Sequence, residues 1–195
     1  MPVDPRDLTT VAAVQAYLPT NTTTSAMDAI IQGMVTAASL YWLERTGRDS
    51  LNSVGTYSER YDGNGGKRLF LRNAPLVSVT GLSIGALSFS PSPDYISSGY
   101  VIDQSKKSVS LIGGWYFRAG AQNVAIQYTA GYSAVPADVQ AAVTQQVAVN
   151  FKRRGSIDQG AQIMPQAGGT NSYRSWEIPP EVERTIQNYT RRAMV

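Results

Sequence analysis

Catalysis and metal binding draw on a small set of side chains, and two of the most useful are missing here. The 195 residues include no histidine and no cysteine. An imidazole or thiolate zinc site is therefore out of reach, as are a histidine base, a cysteine nucleophile and a Ser-His-Asp triad. Carboxylate, lysine, tyrosine and hydroxyl chemistry remains. A glycosidase-like site needs two carboxylates flanking a cleft. The 14 acidic residues are instead scattered, mostly at expected helix starts and turns. The run Asp62-Gly63-Asn64-Gly65-Gly66 has the composition of a phosphate loop. No Gly-Lys-Ser/Thr end follows it and no helix opens after it, so no helix dipole points at a phosphate. It reads as a hairpin turn, where Gly and Asn accept positive φ. The sequence thus offers no catalytic residue, no metal ligands and no cofactor motif, and an enzyme ranks last among the functions considered.

Charge narrows the partners. The net charge is +3, from 17 basic and 14 acidic residues, which is too mild to mark a nucleic-acid binder. Residues 152–195 hold seven basic residues against four acidic ones, so the excess lies there and the rest is balanced. Lys152, Arg153 and Arg154 are consecutive and could meet phosphates, although the same charges also complement a helix C-terminus. No aromatic residues interleave with them, as single-strand binding would require. The Asn188-Tyr189-Thr190 sequon has no meaning without secretion. No apolar run of about 18 residues is present and MPVDPRDLTT lacks a signal pattern, so neither a membrane span nor export by that route is expected. The absence of cysteine fits the cytosol.

The stretch that must organise the chain is 123–154. In NVAIQYTAGY, Val124, Ile126 and Tyr128 alternate with Ala125, Gln127 and Thr129, the period of a strand. Val135 before Pro136 is pushed out of helical dihedrals, and Pro136 suits a first helical turn. A helix follows over 137–154, with Val139, Val143, Val147 and Phe151 at four-residue spacing, and Gly155 stops it. Before this stretch, 9–18 and 24–46 read as helices. Thr9 or Thr10 can cap the first, and Met27, Ile30, Ile31, Met34, Ala38, Tyr41 and Trp42 form the stripe of the second. Between 56 and 132 about six strands alternate with turns, as antiparallel hairpins. Residues 56–61 and 67–72 form one hairpin across the Gly-rich turn, residues 76–85 form a strand with Gly81 marking a bulge, and 86–99 is a loop. Residues 100–103 and 108–112 are two more short strands. After Gly155, residues 156–178 show no period and read as a flexible loop. Residues 179–195 read as a short helix, with Val182, Ile186, Tyr189 and Ala193 in a narrow stripe.

Four pieces in order, DLTTVAAVQAYL, YWLERTGRD, YSERYDGNGGKRLFLRNAPLVSVTGLSI and NVAIQYTAGYSAVPADVQAAVTQQVAVNFKRRG, resemble the head–tail connector (adaptor) proteins of long-tailed bacteriophages, prophages and gene-transfer particles. The resemblance covers 7–155 and stops there. It implies an α+β fold: a small helical bundle of about four helices with an antiparallel β insertion between the second and third, and an adaptor domain over 1–155. Past that point the residues themselves add the loop and a C-terminal extension helix, a docking helix over 179–195. The resemblance also implies a structural role in the virion, at the head–tail interface, after assembly in the host cytoplasm. About twelve copies would form a ring, a closed heterologous assembly, beneath the portal protein. That ring would extend the DNA channel, pass DNA without reading its sequence, and dock a stopper or tail-completion protein.

An amphipathic helix after a linker suits groove binding. On that basis Val182, Ile186 and Tyr189 are expected to bind portal or a neighbouring subunit, with Trp176, Arg191 and Arg192 beside them. The competing expectation is that this helix folds back on its own bundle. Lys152, Arg153 and Arg154 are candidates for a channel or interface surface. A function of another class, a carbohydrate- or ligand-binding module, would use Trp115, Tyr116 and Tyr100 as an aromatic platform.

Overall fold

The computed structural model describes residues 3–18, 25–154 and 178–190. The chain divides into two compact units: Met1–Asp49 with Val135–Thr190, and a second that takes in residues 50–134.

The first unit is helical. Helix α1 (Val11–Ala16) starts at Thr10, whose backbone is extended and whose hydroxyl accepts the Ala13 amide at 3.2 Å. Thr9 instead turns inward to meet the Thr144 hydroxyl at 2.7 Å. Helix α2 (Ser25–Thr46) buries Ile31, Val35, Ala38, Trp42 and Leu43. Helix α3 (Ala137–Arg153) opens after Pro136 and buries Val139, Val143, Val147 and Phe151, the whole four-residue stripe. The buried Trp42 indole donates to Gln146 Oε1 at 2.7 Å and so ties α2 to α3 while satisfying both groups. Helix α4 (Pro180–Tyr189) packs on α2 and α3.

The second unit is all β, with a core of its own around Tyr61, Leu69, Leu76, Leu82, Val109, Phe117, Ile126 and Tyr128. Strands β1 (Val54–Gly63), β3 (Leu76–Ile84), β4 (Leu87–Phe89) and β7 (Gly120–Gly131) form an antiparallel sheet in the order β1-β7-β3-β4. Strands β2 (Arg68–Phe70), β5 (Gly99–Ile102) and β6 (Ser108–Ile112) form a second one, β2-β6-β5. The register of β3 against β7 shifts at Val79/Gly81, where the glycine interrupts the ladder.

Three expectations are corrected here. The fold is not a small helical bundle carrying a β insertion. Among the described residues it is α+β with four helices and seven strands in two antiparallel sheets, and the sheets build a core that the helices do not supply. The C-terminal helix is not an extension, because Val182 and Ile186 are buried in the helical unit. Nor is the Gly-rich run a hairpin turn: β1 pairs with β7 and β2 with β6, in different sheets. The Gly-rich run is a crossing between sheets. Gly65 N donates to Phe117 O at 2.7 Å and Phe117 N to Gly66 O at 2.8 Å. A Cβ on Gly63 would lie 1.7 Å from the Arg118 carbonyl oxygen, so only glycine lets these segments approach.

Candidate functional site

The docking residues proposed from sequence fall into two groups. Trp176, Arg191 and Arg192 lie outside the described residues. Val182 and Ile186 are 0% and 2% exposed, so their stripe is spent on the core of their own unit. Tyr189 is half-buried and clasped at both ends: its hydroxyl donates to Asp138 Oδ1 at 2.8 Å, and its carbonyl accepts Arg48 Nε at 2.8 Å. An exposed ion pair, Arg45 to Glu183 at 2.8 Å, adds a further link between α2 and α4. The outward side of α4 presents Glu181, Arg184, Gln187 and Asn188.

The three cations at the end of α3 separate. Lys152 and Arg153 are exposed where the carbonyl end of the helix favours positive charge. Arg154 folds back, with its guanidinium 4.7 Å from the centre of the Phe151 ring, and its Nη1 is buried without a hydrogen-bond partner among the described residues. Two of the three are therefore available to phosphate or to an acidic surface.

The aromatic platform does not assemble. Tyr100 is 4% exposed and its hydroxyl donates to Val79 O at 2.9 Å. Trp115 packs edge-on against Phe89, with centroids 5.3 Å apart, and Tyr116 stands 48% exposed.

Sequence reading missed a polar cluster inside the sheet unit. Tyr57, Glu59 and Tyr61 alternate along β1 and share the face that meets β7. Glu59 Oε2 accepts from the hydroxyls of both Tyr61 and Tyr128, the latter at 2.7 Å, and Oε1 accepts Asn73 Nδ2 at 3.3 Å. Tyr61 also accepts the Arg72 amide at 2.9 Å. Burial raises the pKa of both phenols, that of Tyr61 far above its ordinary value, so they stay neutral donors to the carboxylate. The signal was the alternation of Tyr, Glu and Tyr at period two, which puts a carboxylate on an inward face. The cluster joins β1, β7 and residues 72–73 and is closed on itself. Among the described residues, no group of three or more acidic side chains could hold a metal ion.

The outer face of the four-stranded sheet is a shallow groove lined by Ser58, Arg60, Thr80, Gly81, Ser83 and Gln127. On the loop after β4, Asp94 accepts the amides of Ile96 and Ser97 at 3.0 and 2.7 Å and the Ser97 hydroxyl at 2.8 Å. Those bonds hold its carboxyl down at about 2. The turn they fix carries Tyr95 and Ile96 at 72% and 80% exposure. The described residues thus show surfaces suited to contact.

Comparison with known proteins agrees with that picture. No curated protein matches the sequence. Among solved structures, a chain in the neck of an empty gene transfer agent particle, computed with C6 symmetry, is similar over 100% of this chain and 95% of its own, at 19% identity and TM-score 0.53. A chain in the virion of a native gene transfer agent particle is similar over 99% of this chain and 92% of its own, at 20% identity and TM-score 0.50. At such identities the likeness is one of fold. The family model described as "Head completion protein" matches residues 7–192, nearly the whole length, and the chain belongs to the head completion protein family.

Proposed function

We propose that this chain is a structural connector subunit that closes into a ring at the head–tail interface of a phage-like particle, beneath the portal, where it lengthens the DNA channel and offers the surface on which a stopper or tail-completion protein docks. The observation that carries this is the family match across residues 7–192. The likeness to a neck chain whose particle was computed with C6 symmetry supports a rotationally symmetric assembly. The surfaces fit as well. The helical unit uses the apolar stripe of α4 internally, so docking falls to the outward side of α4, to Tyr189 at its end, and to Trp176, Arg191 and Arg192 if they flank it. Lys152 and Arg153 are the cations offered to the channel or to an acidic neighbour, while Arg154 stacks on Phe151.

Native mass spectrometry of the protein alone, and then with its cognate portal, tests this. At 21.1 kDa per chain, a ring of about twelve copies weighs about 250 kDa. A ring-sized species in either sample is expected. A monomer in both would overturn the ring.

A further inference from the structure

Helix α2 is largely apolar on its open side as well as on its buried one, where Gln32, Ser39 and Thr46 are the buried polar residues. Its inward residues are buried, as described above. Its outward side carries Ala26, Ala29, Ile30, Ala37 and Leu40, with Ile30 at 42% and Leu40 at 39% exposure. No charged residue stands between Asp28 and Glu44, so about four turns of the longest helix lack any charge on the open side. A helix that faces water on one side normally carries its charges there, and one that is apolar all round is covered on both sides. Gly33 lies mid-way along, and a Cβ built on it meets nothing within 4 Å. The face therefore has a notch between Ile30 and Leu40.

The sheet unit offers the matching shape. Tyr95 and Ile96 are the most exposed of the large apolar side chains among the described residues. Tyr95 has φ 61, a left-handed conformation that a bulky residue keeps only where its surroundings enforce it. The Asp94 carboxylate enforces it through its bonds to Ile96, Ser97 and Ser92. Because those donors already satisfy Asp94, it needs no charged partner across an interface.

We propose that the open face of α2 is a subunit interface, covered by the Asp94-tied turn of a second copy of this chain, with Tyr95 and Ile96 seated over Gly33. This rests on the ring proposed above. A closed ring joins unlike surfaces of identical subunits, so each copy must carry two complementary patches. A recessed, charge-free helix face and a protruding apolar turn meet that need. A phosphate backbone or an acidic protein would find no cation on this face of α2.

Because the chain has no cysteine, single introduced thiols report on the contact directly. Mixing the A37C and I96C variants and oxidising should give a disulfide-linked pair, whereas A37C mixed with a Q140C control on the open side of α3 should not. In parallel, native mass is measured for I30D, for A37R and for the double variant Y95S/I96S, each checked for wild-type circular dichroism and melting. Loss of the oligomer in all three, with Q140R assembling as wild type, is the expected result. An oligomer that survives in either the α2 or the turn variants overturns this interface and leaves the ring standing. A wild-type chain that remains monomeric at its highest soluble concentration and with portal overturns both.

Discussion

Replacing Tyr128 by phenylalanine removes one oxygen from the centre of the sheet unit. The ring stays, stacked on Tyr57 with centroids 5.5 Å apart, so no cavity larger than a hydroxyl opens. What is lost is the bond to Glu59 at 2.7 Å, the acceptor for Asn73 Nδ2 at 3.2 Å and for the Asn73 amide at 3.4 Å, and a 3.5 Å contact with the Tyr61 hydroxyl. A hydrogen bond to a charged group is worth about 1.5–3 kcal/mol. Glu59 keeps the Tyr61 hydroxyl and Asn73, and Asn73 keeps Glu59, so neither is left orphaned. The cost should therefore fall near the lower part of that range, about 2 kcal/mol. Glu59→Ala removes the acceptor that both phenols share and should cost about twice as much, since two hydroxyls then lose the charged acceptor of their protons while keeping only the bonds they accept. Hydrogen exchange of the central β7 amides reads the opening of this sheet without interference from the helical unit. Exchange in Tyr128→Phe should speed up by roughly 30-fold, which is 2 kcal/mol at about 1.4 kcal/mol per tenfold. Wild-type protection in Tyr128→Phe, or a smaller effect in Glu59→Ala than in Tyr128→Phe, would show that the cluster does not hold the sheet together.

Two further outcomes follow from burial and charge. Ile186→Ala should destabilise the helical unit by about 2–5 kcal/mol in urea unfolding, because a buried Ile is truncated in a packed core; a loss under about 1 kcal/mol would mean that α4 is dispensable to that core. The Asp94 carboxyl should titrate by NMR near 2, against 3.8 for the free group. A lowered folded pKa stabilises above the unfolded value, so the turn should keep its full charge-derived support above pH 3.8 and lose it as pH falls through 2. A midpoint at the ordinary value would mean that the carboxylate does not tie the turn.

Elements whose pattern is set by their own burial were legible in the sequence. Val139, Val143, Val147 and Phe151 recur every four residues, and all are buried on α3. Val124, Ile126 and Tyr128 alternate on β7 and are 0 to 1% exposed. Pairing was less legible. The turn chemistry of Asp62–Gly66 favours a local hairpin, yet Tyr57, Glu59 and Tyr61 gain more by lying against β7, where they join a buried face, than by pairing with the three residues of β2. The strand Leu87–Phe89 was hidden in the expected loop 86–99, because three residues are too few to show a period. The destination of α4 was open for another reason: an apolar stripe says that a helix is covered and does not say by what. The same ambiguity hid Glu59, whose charge argued for solvent until two phenols and an amide were seen to enclose it.

That ambiguity also bears on where the contact surfaces of the chain lie. A stripe that finds its partner within the unit, as Val182 and Ile186 do, is structural. One that does not, as on the outward side of α2, is where the proposed contact with a second copy falls. The charges sort the same way. Arg154 is committed to Phe151, which leaves Lys152 and Arg153 as the two exposed cations at that helix end. Each neutralised phosphate adds about 0.9 to the salt slope of DNA binding, so in the ring proposed above Lys152 and Arg153 would add phosphate contacts that read no sequence. The charge-free open side of α2 would suit the seam between copies of that ring.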